Sequence, residues 1–172
     1  PCVAVFDSTG NLAETWSEDF GERVGYSVAQ VKATAHGIYW SQEKSGEYLF
    51  FTENAGPAGV GKRVYKTDLN GKVLFTIGNV EEESDTSKSF DWSNPTDVAV
   101  APNGDIYVVD GYGSQRVSRF TSDFEHVRTI GSRGKGHGQF NTCHGVWINT
   151  LKKEPEVYIA DRNNSRIEVY SL

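Results

Sequence analysis

The sequence predicts an all-β fold built from a repeated four-stranded unit. Short segments rich in β-branched and aromatic residues alternate with turns that contain Gly, Pro, Asn or Asp, the pattern typical of strands and tight turns. The same order of segments recurs along the chain, and no stretch shows an extended helical periodicity. A repeated β unit of this kind indicates a fold in which successive sheets bury each other.

The clearest copy of the unit spans residues 94–131. Its turns are APNGD and GYGSQ, and a single unit of this size cannot bury both of its own faces. The predicted strands are TDVAV (96–100), IYVVD (106–110), RVSRF (116–120) and FEHVRTI (124–130).

Further copies are recognisable on both sides. Residues 1–28, through VAVFDSTGNLAETW, are predicted to form the second half of a unit, with a tight hairpin turn at Thr-Gly. Residues 33–78 form a whole unit, and residues 140–172 form an incomplete one that lacks its fourth strand. The chain therefore holds two whole units, residues 33–78 and 94–131, and two partial ones.

The spacing of the units predicts a β-propeller. First strands begin near His36, Thr96 and His144, which are 60 and then 48 residues apart, and four-stranded units at such a period are typical of propeller blades. We expect a fragment of a six-bladed ring, completed by the remaining blades of the same chain. A closed four-bladed ring, in which the terminal half-blades complete each other, is the alternative. The absence of methionine indicates a processed product, a trimmed chain or a fragment.

Composition excludes some partners. The net charge of −6 over 172 residues argues against nucleic acid, which needs clustered cations facing phosphates. No apolar run approaches the length of a membrane span and no signal peptide opens the chain, so no membrane partner is expected. The acidic residues at 81–83 and 85 predict a solvated loop, with a calcium site as the alternative. The cysteines, Cys2 and Cys143, can pair or stay free and fix no compartment.

Propeller geometry brings four candidate site residues to one mouth of the central channel. The first strand of each blade lines the channel, and the loop after the second strand returns to the face where the first strand starts. His36 and His144 begin first strands, whereas Tyr112 and Arg162 lie in the loops DGYGSQR and DRNNSR. We therefore expect these four side chains to converge.

The two histidines share a local pattern: His-Gly, an aliphatic residue and an aromatic one. In a six-bladed ring, alternate blades are about 120° apart, so three such histidines form a ligand set that leaves a metal position open, as catalytic zinc requires. Two are present, at His36 and His144, and a third is expected on a blade beyond residue 172. The alternative is that each His-Gly only shapes a strand entrance through hydrogen bonds.

The loop residues suggest acid–base chemistry and anion binding. Tyr112 is a candidate general base or acid if a nearby cation lowers its pKa, and the alternative is a packing or rim residue. Arg162 can hold a carboxylate through its planar donor fork, and the alternative is a surface ion pair. We assign Arg116 and Arg166 to structure, because both precede third strands. They are expected to tie loops together by pairing with their counterparts in the preceding strands, Asp110 and Asp161.

Several other patterns fail on context. GPAGVGKR (residues 56–63) resembles a phosphate-binding loop, but Arg63 replaces the required Ser or Thr and a strand follows where a helix should begin. His126 and His137 lie outside the repeated entrance position and are expected to be exposed. Cys143 adjoins His144, but neighbours on a strand point to opposite faces, so no nucleophilic triad is predicted.

The residues resemble a known family. PTDVAVAPNGDIYVVDGYGSQRVSRF, followed by GQFNTCHGVWI and YIADRNNSRI, is similar to NHL-repeat propellers. More narrowly, the combination of HG in one blade, DGY in the next and H followed by ADR in the third resembles peptidyl-α-hydroxyglycine α-amidating lyases. The resemblance covers residues 33–170.

The resemblance implies a six-bladed zinc enzyme that splits a peptidyl-α-hydroxyglycine into an amidated peptide and glyoxylate. It implies zinc ligands at His36 and His144, a catalytic tyrosine at Tyr112 and an active-site arginine at Arg162. It also implies a structural calcium ion bound partly through a backbone carbonyl near Ile38, and an extracytoplasmic location.

The sequence also departs from the family. The family's third zinc histidine and its other active-site arginine fall outside this chain. Gly113 stands where the animal enzymes carry a disulfide cysteine, and Cys143 matches no family half-cystine. These departures are consistent with a bacterial-type relative.

The leading hypothesis is therefore a zinc-dependent lyase acting on a small-molecule or peptide substrate. The rival is a non-catalytic NHL-repeat propeller that binds a protein or carbohydrate at its mouth. A lactonase-like hydrolase is a third hypothesis. Such an enzyme would require acidic and Asn side chains as metal ligands, and these fit this mouth of the channel less well.

Overall fold

The computed structural model describes residues 3–16, 18–25 and 27–172 and places their strands in four sheets, which confirms the predicted all-β fold. The sheets have the strand orders β1-β2, β3-β4-β5-β6-β7, β8-β9-β10-β11 and β12-β13-β14. The strands are β1 (Val3–Phe6), β2 (Leu12–Trp16), β3 (Ala35–Glu43), β4 (Gly46–Glu53), β5 (Arg63–Thr67), β6 (Val73–Gly78), β7 (Ser87–Ser89), β8 (Asp97–Val100), β9 (Ile106–Asp110), β10 (Arg116–Phe120), β11 (His126–Ile130), β12 (Cys143–Asn149), β13 (Glu156–Asp161) and β14 (Arg166–Ser171).

The β8–β11 sheet is an antiparallel meander with neighbouring strands joined in sequence. The bounds of β9 and β10 agree with the prediction, whereas β11 begins at His126 rather than residue 124. The reason is local: Phe124 has φ 64°, a left-handed conformation that belongs to a turn rather than to a strand.

The β3–β7 sheet carries a strand that the repeat pattern did not predict. After the antiparallel run β3–β6, the short strand β7 pairs in parallel with β6, with Thr76 opposite Ser87. The acidic residues at 81–83 and 85, which precede β7, are exposed as predicted. Arg63 begins strand β5, so the segment at 56–63 does not lead into the helix that a phosphate-binding loop needs.

The sequence shows no extended helical periodicity, but the structure nevertheless contains helices before β3. Two short helices, α1 (Glu18–Arg23) and α2 (Val28–Thr34), precede β3, and both are too short to display a hydrophobic period. A capping box marks the start of α2: the backbone N–H of Ser27 donates to Gln30 Oε1 at 2.8 Å, and the backbone N–H of Gln30 donates to Ser27 Oγ at 3.4 Å. No helix in the described ranges has the length and hydropathy of a membrane span.

The core lies between stacked sheets, because β8 and β9 are buried on both faces. Alternating side chains serve the two faces: Val98 and Val108 pack toward the β3–β7 sheet, whereas Ala99 and Val109 pack toward the β12–β14 sheet. A third cluster joins β2 and α1 to the outer face of β4–β6, through Trp16, Phe20, Val24, Phe51 and Tyr65. Adjacent sheets therefore stack face to face, as propeller blades do.

Ion pairs at the ends of the second strands tie each blade to its linker, as predicted. Arg116 Nη2 lies 3.3 Å from Asp110 Oδ2, and Arg166 Nε lies 2.9 Å from Asp161 Oδ2. The Asp110 carboxylate also accepts hydrogen bonds from the backbone N–H groups at 93 and 94, and the Asp161 carboxylate accepts one from that at 141. Sequence reasoning missed a third instance, in which Arg63 pairs with the buried Glu53 at 3.0 Å.

Candidate functional site

Both candidate metal-binding histidines lie at β-bulges. The register of β3 against β4 shifts between Ala35 and Ile38, and that of β12 against β13 shifts between Cys143 and Gly145. A bulge re-aims a side chain out of the regular alternation of a strand. As a result the ring centroids of His36 and His144 lie 5.1 Å apart, although the two residues belong to different sheets.

Backbone contacts orient the His36 ring. Its Nδ1 lies 2.6 Å from the carbonyl oxygen of Thr96, at the start of the neighbouring sheet. The following glycine makes this approach possible, because a Cβ at Gly37 would lie 2.8 Å from both Thr96 O and Thr52 Oγ1. The His-Gly pattern thus has a packing cause: the chain is pressed against the next blade at the position after the histidine.

The DGY loop places Tyr112 against the second histidine. The hydroxyl of Tyr112 lies 2.6 Å from His144 Nε2. Gly111 permits this contact, since a Cβ there would lie 1.6 Å from the Cys143 carbonyl oxygen. Gly113 is equally confined, because a Cβ there would lie 1.8 Å from Ser93 Oγ.

Arg162 lies beside Tyr112. It begins a 3-10 turn, Arg162–Asn164, and its backbone N–H donates to Thr142 O at 3.0 Å. Its exposed guanidinium carbon is 5.6 Å from the centre of the Tyr112 ring, and the His36 ring meets the same tyrosine edge-on at 5.4 Å. The structure therefore brings all four predicted side chains together, and their chemical roles stay predictions.

The electrostatics of the cluster favour a neutral His144. Burial lowers the pKa of its imidazole, and the neighbouring His36 and Arg162 lower it further. A neutral ring with its proton on Nδ1 accepts a hydrogen bond at Nε2. Tyr112 is then the donor in the 2.6 Å contact.

Sequence reasoning missed Asp97, which follows Thr96 at the start of β8. Its Oδ2 accepts a hydrogen bond from Val146 N at 3.0 Å, and its Oδ1 accepts one from Val98 N at 3.0 Å. Burial raises the pKa of this carboxyl, while the two N–H donors and His36 act in the opposite direction. The signal in the sequence was its place next to Thr96, midway between the two His-Gly strands.

Cys143 does not act as a nucleophile beside His144. The residue is fully buried, and burial raises the pKa of its thiol to about 12, with a further contribution from the charge of Asp110. Its Sγ lies 3.7 Å from the carbonyl oxygen of Arg116. Cys143 is a free thiol, and the question of pairing with Cys2 falls outside the described residues. His126 and His137 are exposed, as predicted.

The donor set fits zinc in part. With Nδ1 of His36 directed at a backbone carbonyl, Nε2 remains for a metal, the arrangement usual for metal-bound histidine. At His144 the Tyr112 hydroxyl contacts Nε2 and must move aside before that nitrogen binds a metal. No group of three His, Cys, Asp or Glu side chains that could hold a metal ion occurs in the part of the chain described here, so these two histidines need a third ligand.

The calcium prediction receives less support. Ile38 is 55% exposed at the bulge of β3, and its carbonyl is one oxygen. Calcium takes six to eight oxygen ligands. The described residues bring no acidic cluster to this position, so they do not form a calcium site by themselves.

Comparisons with known proteins agree with the fold and the repeat. The family model for the NHL repeat matches residues 93–120, the segment that contains Thr96 and Tyr112. The chain is 28% identical over 172 residues to human NHL repeat-containing protein 3, covering 99% of this chain and 45% of that protein. It is 26% identical over 156 residues to the probable peptidyl-alpha-hydroxyglycine alpha-amidating lyase pgal-1 of Caenorhabditis elegans, covering 90% of this chain and 39% of that protein.

Among solved structures, this chain is similar in fold to virginiamycin B lyase from Staphylococcus aureus. The superposition covers 81% of this chain and 42% of that one. The TM-score is 0.48 at 11% identity, which is too low to transfer function. The chain spans less than half the length of the two curated relatives described above. It contains an NHL repeat and resembles NHL-repeat propellers, a group of relatives that includes amidating lyases.

Proposed function

We propose that this chain forms part of a zinc-dependent lyase that cleaves a peptidyl-α-hydroxyglycine-like substrate into an amide and glyoxylate. The observation that carries the proposal is the 2.6 Å contact between the Tyr112 hydroxyl and His144 Nε2. It places a proton-transfer group next to a candidate metal ligand, and the hydroxyl moves aside from Nε2 when that nitrogen binds the metal. The similarity to named amidating lyases supports the same chemistry.

The substrate has two recognisable handles, a carboxylate and the hydroxyl on the same carbon. Arg162 is exposed beside Tyr112, so its guanidinium is free to approach a carboxylate from solvent and bind it with two parallel N–H donors. Binding there places the hydroxyl-bearing carbon close to the Tyr112 oxygen. Arg162 thereby selects substrates that end in a carboxylate.

The reaction needs one proton to move from oxygen to nitrogen. The Tyr112 hydroxyl accepts the proton of the substrate hydroxyl while it gives up its own proton, and the electron pair of the substrate O–H bond forms the aldehyde carbonyl as the C–N bond breaks. The departing amide nitrogen takes the C–N electron pair and receives a proton back from Tyr112. The products are the peptide amide and glyoxylate, with no change of redox state.

His36 and His144 would hold the zinc ion together with a third ligand. When bound, zinc supplies Lewis-acid polarisation of the substrate hydroxyl, which makes its proton easier to remove. The chain's own contribution is orientation: Thr96 O fixes the His36 ring and the DGY loop fixes Tyr112. We propose calcium only as an ion whose ligands lie mainly outside these residues.

The test is the substitution Tyr112→Phe in the full-length protein, assayed for glyoxylate release from a peptide ending in α-hydroxyglycine. We expect turnover to fall by at least about 100-fold, as for loss of a general base, while zinc content stays unchanged. Tyr107→Phe is the matched control, because the Tyr107 hydroxyl is buried in the same sheet and lacks a hydrogen-bond partner. Undiminished turnover in Tyr112→Phe would overturn the role of this tyrosine.

A second candidate is a non-catalytic NHL-repeat scaffold that binds a protein or carbohydrate. The similarity to NHL repeat-containing protein 3 over 99% of this chain favours it. On this alternative, wild-type protein with one bound zinc ion releases no glyoxylate from any α-hydroxyglycine peptide, and Tyr112→Phe changes nothing. The same assay therefore separates the two candidates.

A further inference from the structure

The start of strand β8 lies between the two histidine strands and contacts both. The Thr96 carbonyl oxygen lies 2.6 Å from His36 Nδ1 on β3. The hydroxyl of the same residue lies 3.3 Å from the carbonyl oxygen of Cys143, the residue before His144 on β12, and 3.2 Å from Val109 O within its own sheet. Thr96 is 1% exposed, so these bonds are shielded from water.

Asp97, the next residue, also contacts both strands that bear the histidines, in this case through its carboxylate. Asp97 Oδ2 accepts a hydrogen bond from Val146 N, two residues after His144. Its oxygens also lie against both glycines of the His-Gly pairs: a Cβ at Gly37 would be 3.2 Å from Oδ1, and a Cβ at Gly145 would be 3.7 Å from Oδ2. The carboxylate therefore fills the space between the two strands that bear the histidines.

We propose that Thr96 and Asp97 are positioning residues that hold His36 and His144 in one fixed arrangement across three blades. The inference rests on the proposed function where it concerns zinc, whereas the positioning itself is a property of the metal-free chain. It also gives a reason for the threonine immediately before β8: a histidine there would have no hydroxyl to donate to the Cys143 carbonyl oxygen.

The physical argument is that bulged residues need external support. A bulge removes ladder hydrogen bonds from the residues it contains, so the ring positions of His36 and His144 are set by contacts from outside their own sheets. The contacts described above come from Thr96, Asp97 and Tyr112. Hydrogen-bond partners that orient metal ligands typically change metal affinity by about 10- to 100-fold when removed.

Two substitutions test the proposal in the full-length protein. Thr96→Val removes the hydroxyl with little change in volume, and Thr96→Ser restores it. Asp97→Asn keeps the shape but replaces one acceptor oxygen by a donor group, so it cannot accept from both Val98 N and Val146 N. The control for the first is Thr67→Val, which removes a buried hydroxyl bonded to Asp68 O in another blade. The control for the second is Asp105→Asn, which removes a buried carboxylate that pairs with Arg119 and lies in the turn between β8 and β9.

The readouts are zinc affinity, by titration against a competing chelator, and the imidazole NMR signals of the metal-free protein. We expect Thr96→Val and Asp97→Asn to weaken zinc binding by about 10-fold or more and to shift the His144 ring signals. Thr96→Ser and both controls should stay within about twofold of wild type. Variants that match their controls in both readouts, at equal fraction folded, overturn the proposal.

The ring signals keep the two proposals distinguishable. If wild-type protein binds no zinc, the proposed function fails, and the shift of the His144 signals alone decides whether positioning occurs. If zinc binds but glyoxylate is never released, the affinity comparison still decides it. Should Asp97→Asn fold poorly, the pair Thr96→Val and Thr96→Ser gives the answer.

Discussion

The substitution Gly111→Ala offers a direct test of how the site is assembled. A Cβ at this position would lie 1.6 Å from the Cys143 carbonyl oxygen, with the backbone carbon and nitrogen of the same residue within 3.2 Å. The obstacle is strand backbone rather than a flexible side chain. The DGY loop must therefore withdraw by roughly 1.5 Å to restore van der Waals separation.

The withdrawal carries Tyr112 with it. Tyr112 is thereby displaced from its place beside His144, and misplacement of a reacting group by about 1 Å can cost about 100-fold in rate. We expect Gly111→Ala to lower turnover by about that factor. Overpacking should also cost about 1–3 kcal/mol of unfolding free energy.

Glyoxylate release and urea unfolding measure the two effects. Gly145→Ala is the matched control, since a Cβ there meets only ordinary contacts, at 3.6 Å from Ala160 Cβ and 3.7 Å from Asp97 Oδ2. The reasoning is refuted if Gly111→Ala retains wild-type turnover and stability, or if both alanine variants lose activity equally.

Two further predictions concern buried groups near the site. Burial alone would raise the pKa of Asp161, but hydrogen bonds from the Asn141 N–H, Asn164 and Arg166 hold it below its usual range. Its stabilising contribution is therefore present above the ordinary Asp pKa and lost as pH falls through the lowered one. Asp161→Asn should cost about 2 kcal/mol in urea unfolding at pH 7 and flatten the acid dependence below about pH 4; an unchanged acid profile would contradict this. For Cys143, whose pKa is raised to about 12 by burial, we expect no alkylation by iodoacetamide at pH 8 in folded protein and full alkylation in urea. Peptide mass mapping separates it from Cys2, and rapid labelling of the folded chain would show that the thiol is accessible.

Much of the fold followed from residue patterns, because each strand of the β8–β11 sheet is bounded by strong turn residues. The predicted bounds of β9 and β10 agree with the structure. Strand β7 escaped prediction because three residues, Ser87–Ser89, carry no alternation, and parallel pairing with β6 depends on tertiary contact. The two short helices were missed for lack of a period, although Ser27 and Gln30 formed a readable capping box.

The site was predictable in composition and less so in geometry. Repetition of His-Gly pointed to His36 and His144, and the loops after second strands pointed to Tyr112 and Arg162. The bulges at both histidines depend on strand register, which no single segment encodes. Asp97 was missed because its role exists only where three first strands meet.

The most direct test of the central claim is product stoichiometry in the full-length, zinc-loaded protein. A peptide ending in α-hydroxyglycine is incubated with the protein, and the amidated peptide and glyoxylate are quantified together by mass spectrometry and a coupled assay. The account predicts equimolar amounts of both products, formed at a rate that Tyr112→Phe abolishes. Equal rates with and without the protein, at full zinc occupancy, would contradict it.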